Sequence, residues 1–420
     1  MFVAGIIAVY NPLHEGHLFH FNKTLKETGA DFAVCILSSN FVQRGEPSIV
    51  NKWARTRMAL DIGVDLVIEL PSAFSCASAE YFASAAVRIL DSLNCVDYLC
   101  FGSEEGKIQD LESTAEFLAN ESEEFKIELK KGMDKGLSFA AARQRAIISC
   151  KNVPDNIGSI LNKPNNILGV EYIKAIKRLG SSIKPVTIKR QGQDYNSIEL
   201  AASFSSATSI RHHLAETVKL NSTMFETDTF INSNLPKSSL EIIKNEINHG
   251  RGPVFSETFE IILFHLLRQT PLSELKKLPY VAEGLENRLK DAAMNSISLL
   301  DLISKVVTSR YPTSRIKRIL CALLTGLSAE LLEELKTNGY AQYIKILGFN
   351  EKGRILLNKI KKSTDIPIIT QPASYTKLSN PLAIRLFEHE IRSNDTYVLA
   401  YPDAKQRIGG SELRSRPLYI

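Results

Sequence analysis

The chain has 420 residues, 44% of them hydrophobic and 23% charged, with a formal net charge of +5. That length suits two or three domains with buried cores, and the composition is that of an ordinary globular protein without low-complexity tracts. Cys35, Cys76, Cys95, Cys100, Cys150 and Cys321 form no Cys-x-x-Cys pair, no apolar run approaches the roughly 18 residues of a membrane span, and the first segment lacks a basic leader with a cleavage site. A disulfide framework, a membrane anchor and secretion are therefore disfavoured, and a reduced, cytoplasmic protein is expected.

In chain order, "FVAGIIAVY" reads as a buried strand that breaks at Asn11-Pro12. Leu18, Phe21 and Leu25 then recur at helical spacing and Gly29 supplies a stop, so His14-Glu15-Gly16-His17 sits on a strand-to-helix turn. Further strand-like runs follow at "DFAVCILSS", "DLVIELP", "VDYLCFG" and "SSIKPVTIKR", with helical patterns between most of them. This alternation predicts an α/β fold with a Rossmann-like parallel sheet, whose ligands bind beyond the carboxyl ends of the strands. Residues 111–150 look like a helical insertion. Past "SATSIRHHLAET" the chain turns polar at "INSNLPKSS", the expected approach to a linker. From about residue 252 the pattern is helical, with short strands expected in "DIPIIT" and "DTYVLAYP". Two units are thus expected, residues 1–235 and a mainly α-helical, basic C-terminal domain at 252–420. Residues 251–420 carry 25 Lys+Arg against 17 Asp+Glu, and the preceding residues 26 against 29. Such an excess suits a polyanionic partner such as RNA, or only a solvated basic face.

The first turn carries the chemistry. A helix N-terminus offers unpaired N–H groups and a positive dipole end, a natural seat for phosphate. Imidazoles on that turn can donate to phosphoryl oxygens as charge builds during displacement at an α-phosphate. A helical zinc motif would need histidines four apart with Glu directly after the first, and here the spacing is three. A second motif, Ser206-Ala-Thr208-Ser-Ile-Arg211, opens another helix with Ser206 or Thr208 as its cap. Its hydroxyls, N–H groups and Arg211 could hold the phosphates that become pyrophosphate.

The ordered pair resembles the nucleotidyltransferase superfamily, kin to the class I aminoacyl-tRNA synthetase catalytic domain. With "YNPLHEGH", "NFVQRGEP", "KWARTRMAL", "GVDLVIELP", "FGSEEG", "PNNILGVEYIKAI" and "SATSIR", the first half resembles the bacterial tRNA(Met) cytidine acetate ligase family, and "YPTSRIKRILCALL" extends the similarity into the tail. The resemblance implies a two-step reaction. Acetate attacks the α-phosphate of ATP to give acetyl-adenylate and pyrophosphate, and the acetyl group passes to N4 of the wobble cytidine of elongator tRNA(Met). It implies catalytic roles for His14, His17, Thr208 and Arg211. It maps ATP contacts onto Ile7, Asn11, Pro12, His14, Gly16, His17 and His20, then Gly102, Asn165, Lys189, Arg190 and Ser206. Mg²⁺ is expected to accompany ATP, as is usual in phosphoryl chemistry.

Several residues keep two readings. Asn165 after Pro164 is either a base or ribose contact or a helix cap. Glu69 in "VIELP" is either exposed or a paired acid near the site, and Arg44 is a substrate or RNA candidate. Arg310, Arg315, Lys317 and Arg318 with Tyr311 as a stacking partner, and Lys352, Arg354, Lys359, Lys361 and Lys362, are RNA candidates or solvated helix faces. The rival activities are a nucleotidyltransferase that joins AMP or CMP to a phosphorylated metabolite, and a non-catalytic RNA-binding protein.

Overall fold

The computed structural model describes residues 1–151, 153–190, 205–220 and 228–420. Five runs form the expected parallel strands: β1 (Val3–Ala8), β2 (Phe32–Ser38), β5 (Leu66–Leu70), β6 (Tyr98–Ser103) and β7 (Lys184–Lys189), ordered β5–β2–β1–β6–β7. A small antiparallel hairpin follows β2, formed by β3 (Phe41–Val42) and β4 (Glu46–Pro47). Successive side chains point to opposite faces of a strand. Val34, Ile36, Leu66 and Ile68 therefore pack into one core with the helix Ala79–Ser92, while Ala33, Cys35, Leu37 and Val67 pack into another. The second face is covered by α1 (Glu15–Thr28) and α2 (Lys52–Asp61), and α3 (Pro164–Leu179) lies on the first. Burial on both faces explains why β1, β2 and β5 read as unbroken apolar runs.

The tail contributes three strands to this side of the molecule, two of which, β8 and β10, local pattern did not suggest. β8 (Ile344–Phe349) runs antiparallel beside β5, β9 (Ile368–Ile369) pairs with β8, and β10 (Leu418–Tyr419) closes that edge. The strand expected at "DIPIIT" is β9. The one expected at "DTYVLAYP" is not: Tyr397 and Val398 end a helix, Pro381–Val398. Asn380 caps that helix, Pro381 takes its first turn, and Leu382, Leu386, Glu390, Ser393 and Tyr397 recur on its buried face. The β-branched and aromatic residues of the quoted stretch are the last turns of this amphipathic pattern. The polar stretch expected to approach a linker is likewise helical, in Thr229–Asn234 and Lys237–Asn248. Residues 111–150 are helical as expected, chiefly as a pair of packed helices, Glu123–Asp134 and Phe139–Ser149.

Glu69 is a paired acid deep beneath the surface. Glu69, Glu390 and Glu412 surround Lys52 and Lys345, all five side chains fully buried. Lys52 Nζ lies 2.8 Å from Glu390 and 2.7 Å from Glu412, and Lys345 Nζ 2.7 Å from Glu69. Burial pushes the Lys345 ammonium down to about 8 against the pull of Glu69. The cluster ties α2, β5, β8 and the last helices together.

Candidate functional site

β1 has β2 on one side and β6 on the other, so the chain reverses its winding direction there. In open α/β sheets the crevice beyond the carboxyl ends at such a point is where ligands bind. The turn after β1 is irregular: Tyr10 has φ +47° and the Asn11–Pro12 bond is cis. Arg55 on α2 is fully buried and its guanidinium donates to the carbonyls of Val9, Ser38, Ser39 and Val50. It thereby pins the chain leaving β1 to the chain leaving β2.

His14 is the N-cap of α1, and the cap is built from two imidazoles. Nδ1 of His14 accepts the Gly16 N–H at 3.1 Å, while the His14 N–H donates to Nδ1 of His17 at 3.2 Å. A neutral imidazole has one donor and one acceptor nitrogen, so accepting at Nδ1 puts the proton of each ring on Nε2. The two rings lie 3.8 Å apart between centroids, with Tyr10 edge-on to His17. Burial, followed by the positive charges of Arg190 and Arg211, pushes His14 down to about 3. Burial and then Arg190 bring His20 to about 4, and burial with the neighbouring His14 holds His17 well below its usual value. All three rings are neutral near pH 7, and His14 and His17 carry their proton on Nε2.

The two sequence motifs, some two hundred residues apart, line one open cleft. Ile7 comes from β1, Asn11 and His14 from the turn after it, Gly16, His17 and His20 from α1, Gly102 from β6, Asn165 from α3, and Lys189 and Arg190 from the end of β7. Ser206, Thr208 and Arg211 come from the start of α4 (Ala207–Leu220). Arg211 Nη1 donates to the Asn11 carbonyl at 2.9 Å, which joins the motifs directly. Pro12, the remaining candidate, is buried in the turn and stays outside the lining. Of the two possible caps of α4 it is Ser206 that acts, its Oγ accepting from Ser209 N–H at 3.1 Å.

Asn11 accepts the Ile49 N–H on Oδ1, leaving its buried Nδ2 without a hydrogen-bond partner, and Nε2 of His20 is in the same state. Buried polar atoms are normally paired, so two orphans facing one cleft are what a polar ligand would satisfy. A Cβ at Gly102 would lie 3.3 Å from Arg190 Cγ and 3.8 Å from His20 Cδ2, so glycine keeps the floor between them low. Asn165 lines the cleft and is not a helix cap: Lys163 is the N-cap of α3, and the Asn165 N–H and Nδ2 donate to Glu104, at 3.3 and 2.6 Å. Phe82, Phe101, Leu168 and Tyr172 supply an apolar wall that sequence reasoning did not single out. The hairpin residues Arg44 and Glu46 also line the cleft. Arg44 had been marked only on its motif, and Glu46 carried no signal of its own.

The basic stretches of the tail lie differently. Tyr311 is 9% exposed, packed in the helical core and flanked by Arg310 and Arg315, so it is not a platform for a base. Arg315 donates to the Tyr280 carbonyl and Arg318 lies over the Tyr280 ring, both from α5 (Thr313–Thr325). Lys352, Arg354, Lys359, Lys361 and Lys362 are exposed on α6 (Glu351–Ser363). Asn350 at its start bonds Asp65, Lys352 reaches the Asp31 carbonyl and Ser363 the Leu93 carbonyl. Those residues precede β5, β2 and β6, so α6 lies along the edge opposite the cleft.

A parallel sheet with a His-x-Gly-His helix cap at its switch point and a Ser-x-Thr-x-Ile-Arg helix facing it defines a nucleotidyltransferase, and the chain belongs to the HIGH Nucleotidyl Transferase family, whose profile matches residues 1–412. It is 45% identical over 412 residues to the tRNA(Met) cytidine acetate ligase of Acetivibrio thermocellus, covering 98% of each. It is 42% identical over 399 residues to the protein of that name from Caldanaerobacter subterraneus, covering 94% of this chain and 95% of the relative. The solved structure of Thermotoga maritima TmcAL bound with alpha-thio ATP matches over 100% of both chains, with a TM-score of 0.92 at 35% identity.

Proposed function

We propose that this protein is a tRNA(Met) cytidine acetate ligase that activates acetate with ATP and acetylates N4 of the wobble cytidine of elongator tRNA(Met). The observation that carries the reading is the single cleft in which His14 and His17 face Thr208 and Arg211. The relatives named tRNA(Met) cytidine acetate ligase, and the neighbour solved with alpha-thio ATP, supply the substrate side of the proposal.

Acetate is ionised at neutral pH, since carboxyl groups titrate near ~4. One of its oxygens attacks the α-phosphorus, the bond from that phosphorus to the bridging oxygen breaks, and pyrophosphate leaves. No general base is needed for this step, and none of the three neutral imidazoles has to take a proton. The role of His14 and His17 is to donate Nε2–H to phosphoryl oxygens that gain charge, while Arg211 and the N-terminus of α4 receive the leaving pyrophosphate. Asn11 Nδ2 and His20 Nε2 would gain their missing partners from the nucleotide, and the Phe82–Phe101–Leu168–Tyr172 wall suits adenine. In the second step the cytidine amine attacks the acetyl carbonyl, AMP leaves and the amine loses a proton.

Among the described residues no three His, Cys, Asp or Glu side chains converge as a metal site. Mg²⁺ is therefore proposed as part of the substrate, carried on the phosphates, where it would neutralise charge. Residues 1–235 are proposed as the ATP-binding unit with the tail as the RNA-facing one. The acyl group is made at the carboxyl edge of the sheet, so RNA must approach there. Lys317 of α5, 3.9 Å from Glu46 at the cleft rim, is the tail cation best placed to meet it.

The test is ATP–pyrophosphate exchange without RNA. Exchange that requires acetate supports the ligase, and exchange indifferent to acetate would point to a nucleotidyltransferase acting on another small molecule.

A further inference from the structure

The β3–β4 hairpin is wedged between α4 and α5. At its tip Gly45 has φ +76°, and a Cβ there would come within 2.4 Å of the Arg318 backbone nitrogen. The tip is thus pressed onto the backbone of α5, which fixes the side chains on either side of it. Arg44 Nη1 donates to Thr208 Oγ1 at 2.9 Å. Glu46 Oε1 forms an ion pair with Arg211 Nη2 at 2.8 Å without hydrogen-bond alignment, the two side chains being 16% and 14% exposed.

An acid in that place needs a reason. A carboxylate beside the arginine that would meet a triphosphate repels the substrate, and a partly desolvated pair is weakly screened. What the acid provides is orientation. The Asn11 carbonyl accepts from Nη1 and Thr208 Oγ1 lies 3.5 Å from Nη2, while the Glu46 carboxylate draws the same Nη2 by charge, so the planar guanidinium is steered before any substrate arrives. Catalysis gains only from interactions stronger in the transition state than in the ground state, and an arginine half-neutralised by its own acid fits that demand. It binds the resting triphosphate less than it could, and it is aligned for the charge that appears as pyrophosphate departs.

We propose that Glu46 is a positioning residue that orients Arg211 for the departing pyrophosphate while lowering ground-state affinity for ATP. The proposal rests on the reading of the cleft as the ATP site. A residue that merely supported the fold would, when replaced, weaken nucleotide binding and turnover together. Glu46 should separate them.

The experiment compares wild type, Glu46→Gln and Glu46→Asp in two assays. Calorimetry measures binding of α,β-methylene ATP, which cannot be cleaved at the reacting bond, and pyrophosphate exchange with acetate and ATP gives kcat. Glu46→Gln is expected to bind the analogue as tightly as wild type or tighter, with kcat at least five-fold lower. Glu46→Asp, which keeps the charge, should recover part of kcat. Analogue binding weakened more than two-fold, or a kcat loss below five-fold, overturns the proposal. Wild-type exchange that ignores acetate contradicts only the choice of acyl donor, because the Glu46 comparison then runs on that exchange. No exchange at all sinks both.

Discussion

His14 does two jobs that one substitution can separate. Its Nδ1 caps α1 through the Gly16 N–H, and the same bond leaves Nε2 as the proton-bearing nitrogen toward the cleft. His14→Asn replaces one capping side chain with another of the best capping type, so the helix start should keep its stability. It removes the ring N–H. Loss of one preorganised donor to a developing oxyanion typically costs about 3 to 4 kcal/mol, or roughly 100- to 1,000-fold in kcat. His14→Ala should lose the same factor and in addition about 1 kcal/mol of stability with the cap. Acetate-dependent pyrophosphate exchange reads the first quantity and urea denaturation the second. An asparagine variant that keeps kcat within three-fold of wild type would refute the assignment of His14 as a donor. One that loses activity only in proportion to its folded fraction would reduce the residue to a cap.

Three further outcomes are expected. His14 and His20 are held at about 3 and about 4, below the usual 6.5, so the unfolded chain takes up protons first as pH falls. Their contribution to stability is complete above pH 6.5 and is lost below it, about 1 kcal/mol for each ring by pH 5.5. Imidazole NMR signals of the nucleotide-free protein should show these rings still neutral at pH 5.5, and a midpoint near 6.5 would contradict the buried, arginine-flanked site. Lys345→Met leaves three buried carboxylates around Lys52 alone, and breaking such a cluster should cost about 3 to 5 kcal/mol by denaturant titration; a loss under 1 kcal/mol would mean the cluster is not closed to water. Reversing charge at Lys359, Lys361 and Lys362 together should leave the KM for tRNA within two-fold, whereas Lys317→Glu should raise it at least five-fold. The opposite ranking would put RNA on the far edge of the sheet.

The parallel strands and the cleft-lining turns were legible because their signals are local. The inner parallel strands β1, β2 and β5 are almost wholly buried and so are continuous apolar runs, and each motif-bearing turn concentrates its donors within a few residues of a helix start. What stayed hidden depends on partners distant in the chain. β8 carries Lys345 in the middle of an otherwise apolar run, and only the folded arrangement supplies Glu69 and Glu412 to match that charge. Glu46 is unremarkable in "NFVQRGEP" until α4 brings Arg211 against it. Basic residues on α5 and α6 look alike in sequence, yet one helix borders the cleft through Glu46 and the other lies along the opposite edge. Tyr311 read as a free aromatic among cations, and packing turned it inward.

The most direct measurement incubates the protein with ATP, labelled acetate and bulk tRNA, then digests the RNA to nucleosides. Label in N4-acetylcytidine, with AMP and pyrophosphate formed in equal amounts, is the expected result. Consumption of ATP with no label entering RNA, or AMP appearing on another acceptor, would contradict the account.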